Sequence, residues 1–526
     1  MSLVGKFASV GSATLLSRVL GFGREMLLAA ALGAGPVADA FYAAFRFPNL
    51  FRRLFAEGAL NAAFVPLFAK EIEVNGTGGA RRFSEEVFGV LFAILLALTI
   101  LMELSMPLLV RTIIAPGFAD DPDKFANTVA LSMIMFPYLM CMSLTAMMSG
   151  ILNSLRKYFA AAIAPVFLNI ILIAVLLYAL QSGAEPLATG TSLAWGVMAA
   201  GIVQLLVVTV AARRSGMKLG LRRPRMTANV KRLLVLAAPA AVIGGVTQIN
   251  LVIGQMIASG KDGAISVLQY ADRVYQLPLG VVGIAIGVVL LPELARALKA
   301  QHFKDAGNLQ NRSVEFALFL TLPAAAALLT ISNELVTVLY QRGAFTAETG
   351  ITVAGALAIF GLGLPFFVLI KTFTPAFFAR EDTATPMRFA MISVATNTAL
   401  ALALFPVMAE RGIATAEVCA GITNATLLYF TLIRRGYWAR DDGLVRRLPR
   451  LLLAAVLMGV ALWYGAQYLE PSFAPGVAFW TKAGALLLLI LGGAIVYFAL
   501  AFGLGGADAG MLKRGMRRKP PASEPE

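Results

Sequence analysis

The sequence predicts an all-α polytopic membrane protein of about fourteen transmembrane helices. They are expected to form two parallel-repeat six-helix lobes around a central cationic cavity, followed by two C-terminal helices. Three observations predict this. The 526 residues are 59% hydrophobic and 14% charged, with a mean hydropathy of +0.79, whereas soluble domains carry about 25% charged residues. Apolar runs long enough to cross a bilayer recur along the whole chain. The basic residues between those runs are placed alternately, the pattern that sets orientation in a membrane.

Taken in order, the runs fall near 8–32, 37–69 (broken at Pro48), 85–110, 126–150, 158–180, 187–211 and 233–258. The series continues near 264–297, 313–339, 351–378, 388–408, 412–433, 451–469 and 478–504. Lys6 resembles the start of a cleavable leader, but Arg18, Arg24 and Glu25 interrupt the apolar run behind it, so this first helix is expected to be retained. Residues 212–232 hold eight Lys or Arg, 434–450 hold six Arg, and 513–519 hold five basic residues. The connections at 33–39, 115–124, 181–186, 259–263 and 470–476 are poor in positive charge. That alternation places both termini in the cytoplasm.

A duplication is visible. AAFR at 43–46 answers to YADR at 270–273, VPLFAK at 65–70 to LPELAR at 291–296, and Pro137 to Pro365, at offsets of 227, 226 and 228. About six helices separate equivalent points, and an even number preserves orientation, so the halves are parallel repeats. The expected division is an N-terminal lobe at 1–220, a second lobe at 221–437, two extra helices at 438–508 and a basic tail at 509–526.

The net charge of +15 is accounted for by the membrane-flanking loops, and no aromatic-plus-basic platform for nucleic acid is present. Cys141 and Cys419 lie in apolar runs and the one histidine, His302, in a polar loop, so no metal centre is expected. No cofactor is expected either. In the absence of a phosphate-binding GxxxxGK[ST] loop, energy would come from the membrane potential or an ion gradient.

The chemistry concentrates between Ser17 and Pro66, which carries Arg18, Arg24, Glu25, Asp39, Arg46, Arg52, Arg53 and Glu57. A charge at the centre of a spanning helix costs about 2.5–3.5 kcal/mol on insertion scales, so a hydrated cavity is the expected offset. Arg18 and Glu25 share one helical stripe, and Ser17 and Arg24 the neighbouring one. One acid cannot neutralise two arginines; snorkelling or a buried structural pair is the plainer alternative. Asp39 and Arg46 face one side of the second helix, although Asp39 also suits a helix start. Pro48 should break or kink that helix. Beyond it, Arg53 and Glu57 form an i, i+4 pair and Arg52 has no local partner; a cytoplasmic-surface location is the alternative for all three. In the second lobe, Asp272 and Arg273 lie within an apolar segment, and Arg273 is the repeat of Arg46. Glu103, Glu315, Lys371 and Glu417 stand singly in spanning segments, where snorkelling at a helix end is an equal reading. Arginine's rigid fork suits phosphate oxygens, so a cationic cavity reached from the membrane fits an anionic lipid head group.

The strings SRVLGFGRE (17–25), ADAFYAAFRFPNLFRRLFAEGALNAAFVP (38–66), PGFADDPDK (116–124), YADRVYQLPLG (270–280) and LLPELAR (290–296) resemble the MurJ/MviN family. These are the bacterial lipid II flippases of the multidrug/oligosaccharidyl-lipid/polysaccharide exporter superfamily. The resemblance implies a V-shaped two-lobed bundle in the bacterial inner membrane. It implies alternating access that moves lipid II, the undecaprenyl-pyrophosphate-linked disaccharide-pentapeptide, from the cytoplasmic to the periplasmic leaflet for cell wall synthesis. The family's essential cavity arginines fall on Arg18, Arg24, Arg52 and Arg273, with Asp39 also important, and its tail groove on 451–504. Glu25 stands where the family often has Asp, and Gln276 where some members have Glu. Membrane lipids and monovalent ions are the further expected partners, and a monomer the expected state. Two alternatives stay open: a flippase for another polyprenyl-pyrophosphate-linked glycan or a drug exporter of the same superfamily, and a membrane enzyme acting on lipid-linked sugars.

Overall fold

The computed structural model describes residues 3–52 and 60–507, and every regular element among them is helical. In order these are α1 (Leu3–Leu32), α2 (Pro36–Arg52), α3 (Leu60–Leu104), α4 (Met106–Leu109), α5 (Pro122–Met135), α6 (Tyr138–Ser154), α7 (Tyr158–Ser182), α8 (Pro186–Arg214) and α9 (Ala228–Ala258). Then come α10 (Ala264–Lys299), α11 (Phe303–Thr330), α12 (Ser332–Tyr340), α13 (Ala347–Phe378), α14 (Ala384–Met408), α15 (Glu410–Arg434), α16 (Asp442–Tyr468), α17 (Glu470–Phe473) and α18 (Phe479–Gly503). Ten spans of this set are long and apolar enough to cross a membrane. With α1, α2, α9 and α10, which occupy four further expected segments, they account for the fourteen runs.

Several boundaries differ from the sequence reading. The second helix is not broken at Pro48; α2 runs on to Arg52, because one lost backbone bond does not end a helix whose other bonds stay internal. A turn at Gly76, whose φ is 65°, divides α3 into 60–75 and 77–104, within the connection expected between the runs at 37–69 and 85–110. The expected span at 126–150 is two helices, α5 and α6, separated at Phe136 and Pro137. Pro365, its repeat counterpart, lies inside the unbroken α13. Caps set other ends: Asp121 accepts from the Asp123 and Lys124 amides at the start of α5, and Asp441 from the Leu444 amide at the start of α16.

The chain packs as two compact units. One holds the chain up to Tyr270 with Tyr340–Thr349 and Leu402–Glu410; the other holds Ala271–Leu339, Gly350–Ala401 and the chain from Arg411 onward. In the first unit, Phe64, Phe68 and Phe83 stack in a core closed by Met147, Ile151 and Val208. In the second, α11 packs on α16 and α18 through Phe319, Met458, Leu462 and Leu489, and Tyr497 donates to the Phe319 carbonyl at 2.8 Å. Lipid removes the hydrophobic drive between helices, so close contact must hold them. Gly201 accordingly meets the Tyr138 ring, and Gly493 meets Leu462, where a Cβ would sit 2.7 and 2.8 Å from the neighbour.

Glu315 is not a single charge. Arg312 and Arg447 each bind it at 2.5 Å, which joins α11 to α16.

Candidate functional site

In the first unit the intramembrane charges of α1 and α2 fall into two buried networks. The first centres on Arg24 and Glu25, which are 8% and 1% exposed. Arg24 Nη2 lies 2.5 Å from Glu25 Oε1, and its Nη1 donates to Asn169 Oδ1 on α7 at 3.1 Å. Tyr42 on α2 donates to Glu25 Oε2 at 2.6 Å. Asn169 in turn donates to the Ser17 carbonyl at 2.9 Å. Glu25 is thus the partner of its chain neighbour and of Tyr42, not of Arg18. Arg18 is exposed and forms no ion pair among the described residues.

The second network surrounds Asp39, which is fully buried in the first turn of α2. Its Oδ1 accepts from the Ser266 amide at 2.9 Å and the Ser266 hydroxyl at 2.8 Å; its Oδ2 accepts from the Gly263 amide at 2.7 Å and from Lys124 Nζ at 3.2 Å. Asp39 therefore caps the start of α10, where free N–H groups and the helix dipole favour an anion. Lys124 also reaches Asp262 at 2.5 Å and stands 3.9 Å over the Phe118 ring. Two turns along α2, Arg46 donates to Gln269 of α10 at 2.8 Å. Asp39 and Arg46 thus grip the same helix one turn apart. Tyr42 and Tyr270 meet edge to face between them, at 5.7 Å. Tyr270 donates to the Gly33 carbonyl at 2.7 Å.

Arg273 and Asp272 lie in the second unit, both partly buried. Gln276 donates to the Asp272 carboxylate one turn away, so the residue that replaces a family acid serves an acid here. Tyr275 stacks on Phe360 at 4.9 Å. Arg52 is the last described residue of α2; Arg53 and Glu57 lie outside the described residues. The sequence reading missed Tyr42, Lys124, Asn169, Asp262 and Ser266. Four are neutral or loop residues with no intrinsic signal. Lys124 had one: a lone cation in an acid-rich loop. Among the described residues no group of three or more His, Cys, Asp or Glu is placed to hold a metal ion.

Comparison with known proteins agrees with the pattern of residues. The family model described as "Lipid II flippase MurJ" matches residues 28–484. A protein of Rhizobium tropici named "Probable lipid II flippase MurJ" is 63% identical over 522 residues, covering 99% of this chain and 98% of its own. A Burkholderia cenocepacia protein named "Lipid II flippase MurJ" is 35% identical over 475 residues, covering 89% of this chain and 91% of its own. A solved structure described as "Lipid II flippase MurJ, inward closed conformation" superposes with a TM-score of 0.76 at 26% identity, over 94% of this chain and 97% of that one. A multidrug resistance MATE family transporter of the MOP superfamily, at 13% identity and a TM-score of 0.67 over 80% of this chain and 94% of that one, shares the fold. A match that runs nearly end to end, at up to 63% identity, places this chain in the lipid II flippase MurJ family.

Proposed function

We propose that this multi-pass membrane protein is a lipid II flippase, a transporter and not an enzyme, which carries lipid-linked peptidoglycan precursor from the cytoplasmic to the periplasmic leaflet of the inner membrane. The observation that carries this reading is the 63% identity, over 99% of the chain, to a protein named as such a flippase. The placement of charge supports it, because ionisable residues in spanning segments mark functional pathways and an arginine fork suits an anionic cargo.

Arg18, Arg24, Arg52 and Arg273 hold the pyrophosphate. Arg18 is the readier cation, being exposed and without an ion-pair partner among the described residues. Arg24 must exchange the Glu25 carboxylate for phosphate, and Tyr42 and Asn169 keep both groups in place while it does so. The lobes 1–220 and 221–437 rock in alternating access, the helices within 438–508 guide the polyprenyl tail, and the tail 509–526 lies with the N-terminus in the cytoplasm. The membrane potential or an ion gradient drives the cycle, with monovalent ions as the coupling species and a monomer as the working unit.

The test is the amount of lipid II accessible at the outer face of cells depleted of this protein. A sharp fall is expected, restored by the wild-type chain and not by Arg24→Ala. Undiminished accessible lipid II would refute the reading.

A further inference from the structure

Away from the charged networks, the second unit encloses a cavity of about 470 Å³ between α11, α13, α15 and the start of α16. That volume lies within the usual range for small-ligand sites. Its walls are mainly apolar, formed by Leu318, Phe366, Phe373, Ala425, Trp438 and Leu448 among others. The indole N–H of Trp438 is already satisfied by Asn311 Oδ1 at 2.9 Å, and the hydroxyl-bearing side chains of Thr426 and Tyr429 also line the cavity. Phe430 and Val445, which also line it, are 62% and 51% exposed, so the cavity opens at the surface of the second unit through apolar side chains.

One charge sits on its wall. Arg440 contributes to the lining, with its guanidinium 5.9 Å from the centre of the Tyr429 ring. Two neighbouring arginines of the same basic stretch are committed, Arg435 to Asp382 at 2.7 Å and Arg447 to Glu315 at 2.5 Å, and Arg440 is the one that lines the cavity. Arg440 is exposed and forms no ion pair among the described residues. The result is a mainly apolar slot, open at the surface, with an available guanidinium on its wall.

We propose that this cavity is a binding site for an anionic phospholipid, with one acyl chain in the slot and its phosphate on Arg440, in the leaflet on which residues 434–450 lie. A neutral apolar molecule would leave Arg440 without a partner, and a soluble anion would leave the slot without a filling. A chain and a phosphate on one molecule satisfy both, and an arginine fork matches phosphate oxygens. Basic pockets between spanning helices are the usual form of such sites. The site shares no residue with the Arg24 and Asp39 networks.

Trp438, which is buried in the cavity wall, supplies the reporter. The full-length chain carrying Trp195→Phe, Trp463→Phe and Trp480→Phe retains Trp438 as its one tryptophan. It is placed in phosphatidylcholine nanodiscs containing a small, equal fraction of either brominated-chain phosphatidylglycerol or brominated-chain phosphatidylcholine. The phosphatidylglycerol is expected to quench Trp438 at about fivefold lower mole fraction, the preference that one basic side chain confers. Arg440→Gln should erase that preference, Arg440→Lys should retain most of it, and Ala425→Leu, which fills the slot, should remove quenching by both lipids. Equal quenching by the two lipids, no quenching by either, or a preference that survives Arg440→Gln would each overturn the proposal.

Discussion

Lys124 Nζ lies 3.2 Å from Asp39 Oδ2, with both side chains withdrawn from solvent, and the same ammonium holds Asp262 at 2.5 Å. The lysine thereby ties α2 to α5 and to the turn that opens α10. Breaking a buried pair from one side typically costs about 3–5 kcal/mol, because the other charge stays buried. In Lys124→Met, three donors from Gly263 and Ser266 remain on Asp39. We therefore expect a loss near the lower end of that range, read as a reduced unfolding midpoint in detergent. A cycle with Asp39→Asn should show a coupling above about 1 kcal/mol. Strict additivity would mean that the contact carries no energy.

Tyr42 positions Glu25, and through it Arg24. Its hydroxyl donates to a buried carboxylate at 2.6 Å, and a hydrogen bond to a charged group contributes about 1.5–3 kcal/mol. Tyr42→Phe keeps the ring against Tyr270 and removes that one bond. It should lower stability by about that amount and weaken, without abolishing, complementation of a strain lacking its own lipid II flippase. Full activity with unchanged stability would remove Tyr42 from the network.

The fold was legible where hydropathy alone decides it. Lipid forces every spanning backbone to satisfy itself, so long apolar runs can be little else than helices. The errors fell where a single residue was asked to decide an end. Pro48 suggests a break or kink, yet the helix continues through it, and the expected single span at 126–150 is divided at Phe136 and Pro137. Arg24, Glu25, Asp39 and Arg46 were visible as charges in apolar surroundings. Their partners were not, because Asn169 and Lys124 lie 145 and 85 residues away and only the folded chain brings them in. A neutral Asn or Tyr in a spanning helix costs too little to announce itself.

Acid should loosen the short connection between α13 and α14. Burial raises the Asp382 carboxyl, but hydrogen bonds from the Thr385 hydroxyl and amide and the Arg435 guanidinium outweigh it, so the group titrates below its usual range. The folded state therefore binds this proton less readily than the unfolded chain. The stabilisation is complete above the unfolded value, about 3.9, and is lost as pH falls through the lower folded value. Asp382→Asn should flatten the acid limb of the unfolding midpoint plotted against pH and leave its shape above about pH 5 unchanged. An identical acid limb in the two proteins would show that the carboxylate does not contribute.

In the first unit two glycines, Gly33 and Gly343, each lie against the main chain beside the other. Gly33 ends α1 at φ +63°, where an added Cβ would lie 2.5 Å from the Ala344 carbonyl oxygen. Gly343 stands at φ +58°, where its Cβ would lie 2.3 Å from the Ala30 carbonyl oxygen. The Ala344 amide donates to that same Ala30 oxygen at 2.8 Å, so the loop after α12 docks on the end of α1 through main-chain atoms. A side chain at either glycine pays the left-handed strain of about 1–2 kcal/mol and also meets a carbonyl that no rotamer change can move. Gly33→Ala and Gly343→Ala should each lower stability by more than about 2 kcal/mol, and together by less than their sum, because either one already lifts the loop. Gly35→Ala, two residues on, meets nothing within 4 Å and should stay within about 0.5 kcal/mol of wild type. Unfolding midpoints of the four proteins decide the matter: if Gly33→Ala behaves like Gly35→Ala, the loop does not rest on the end of α1.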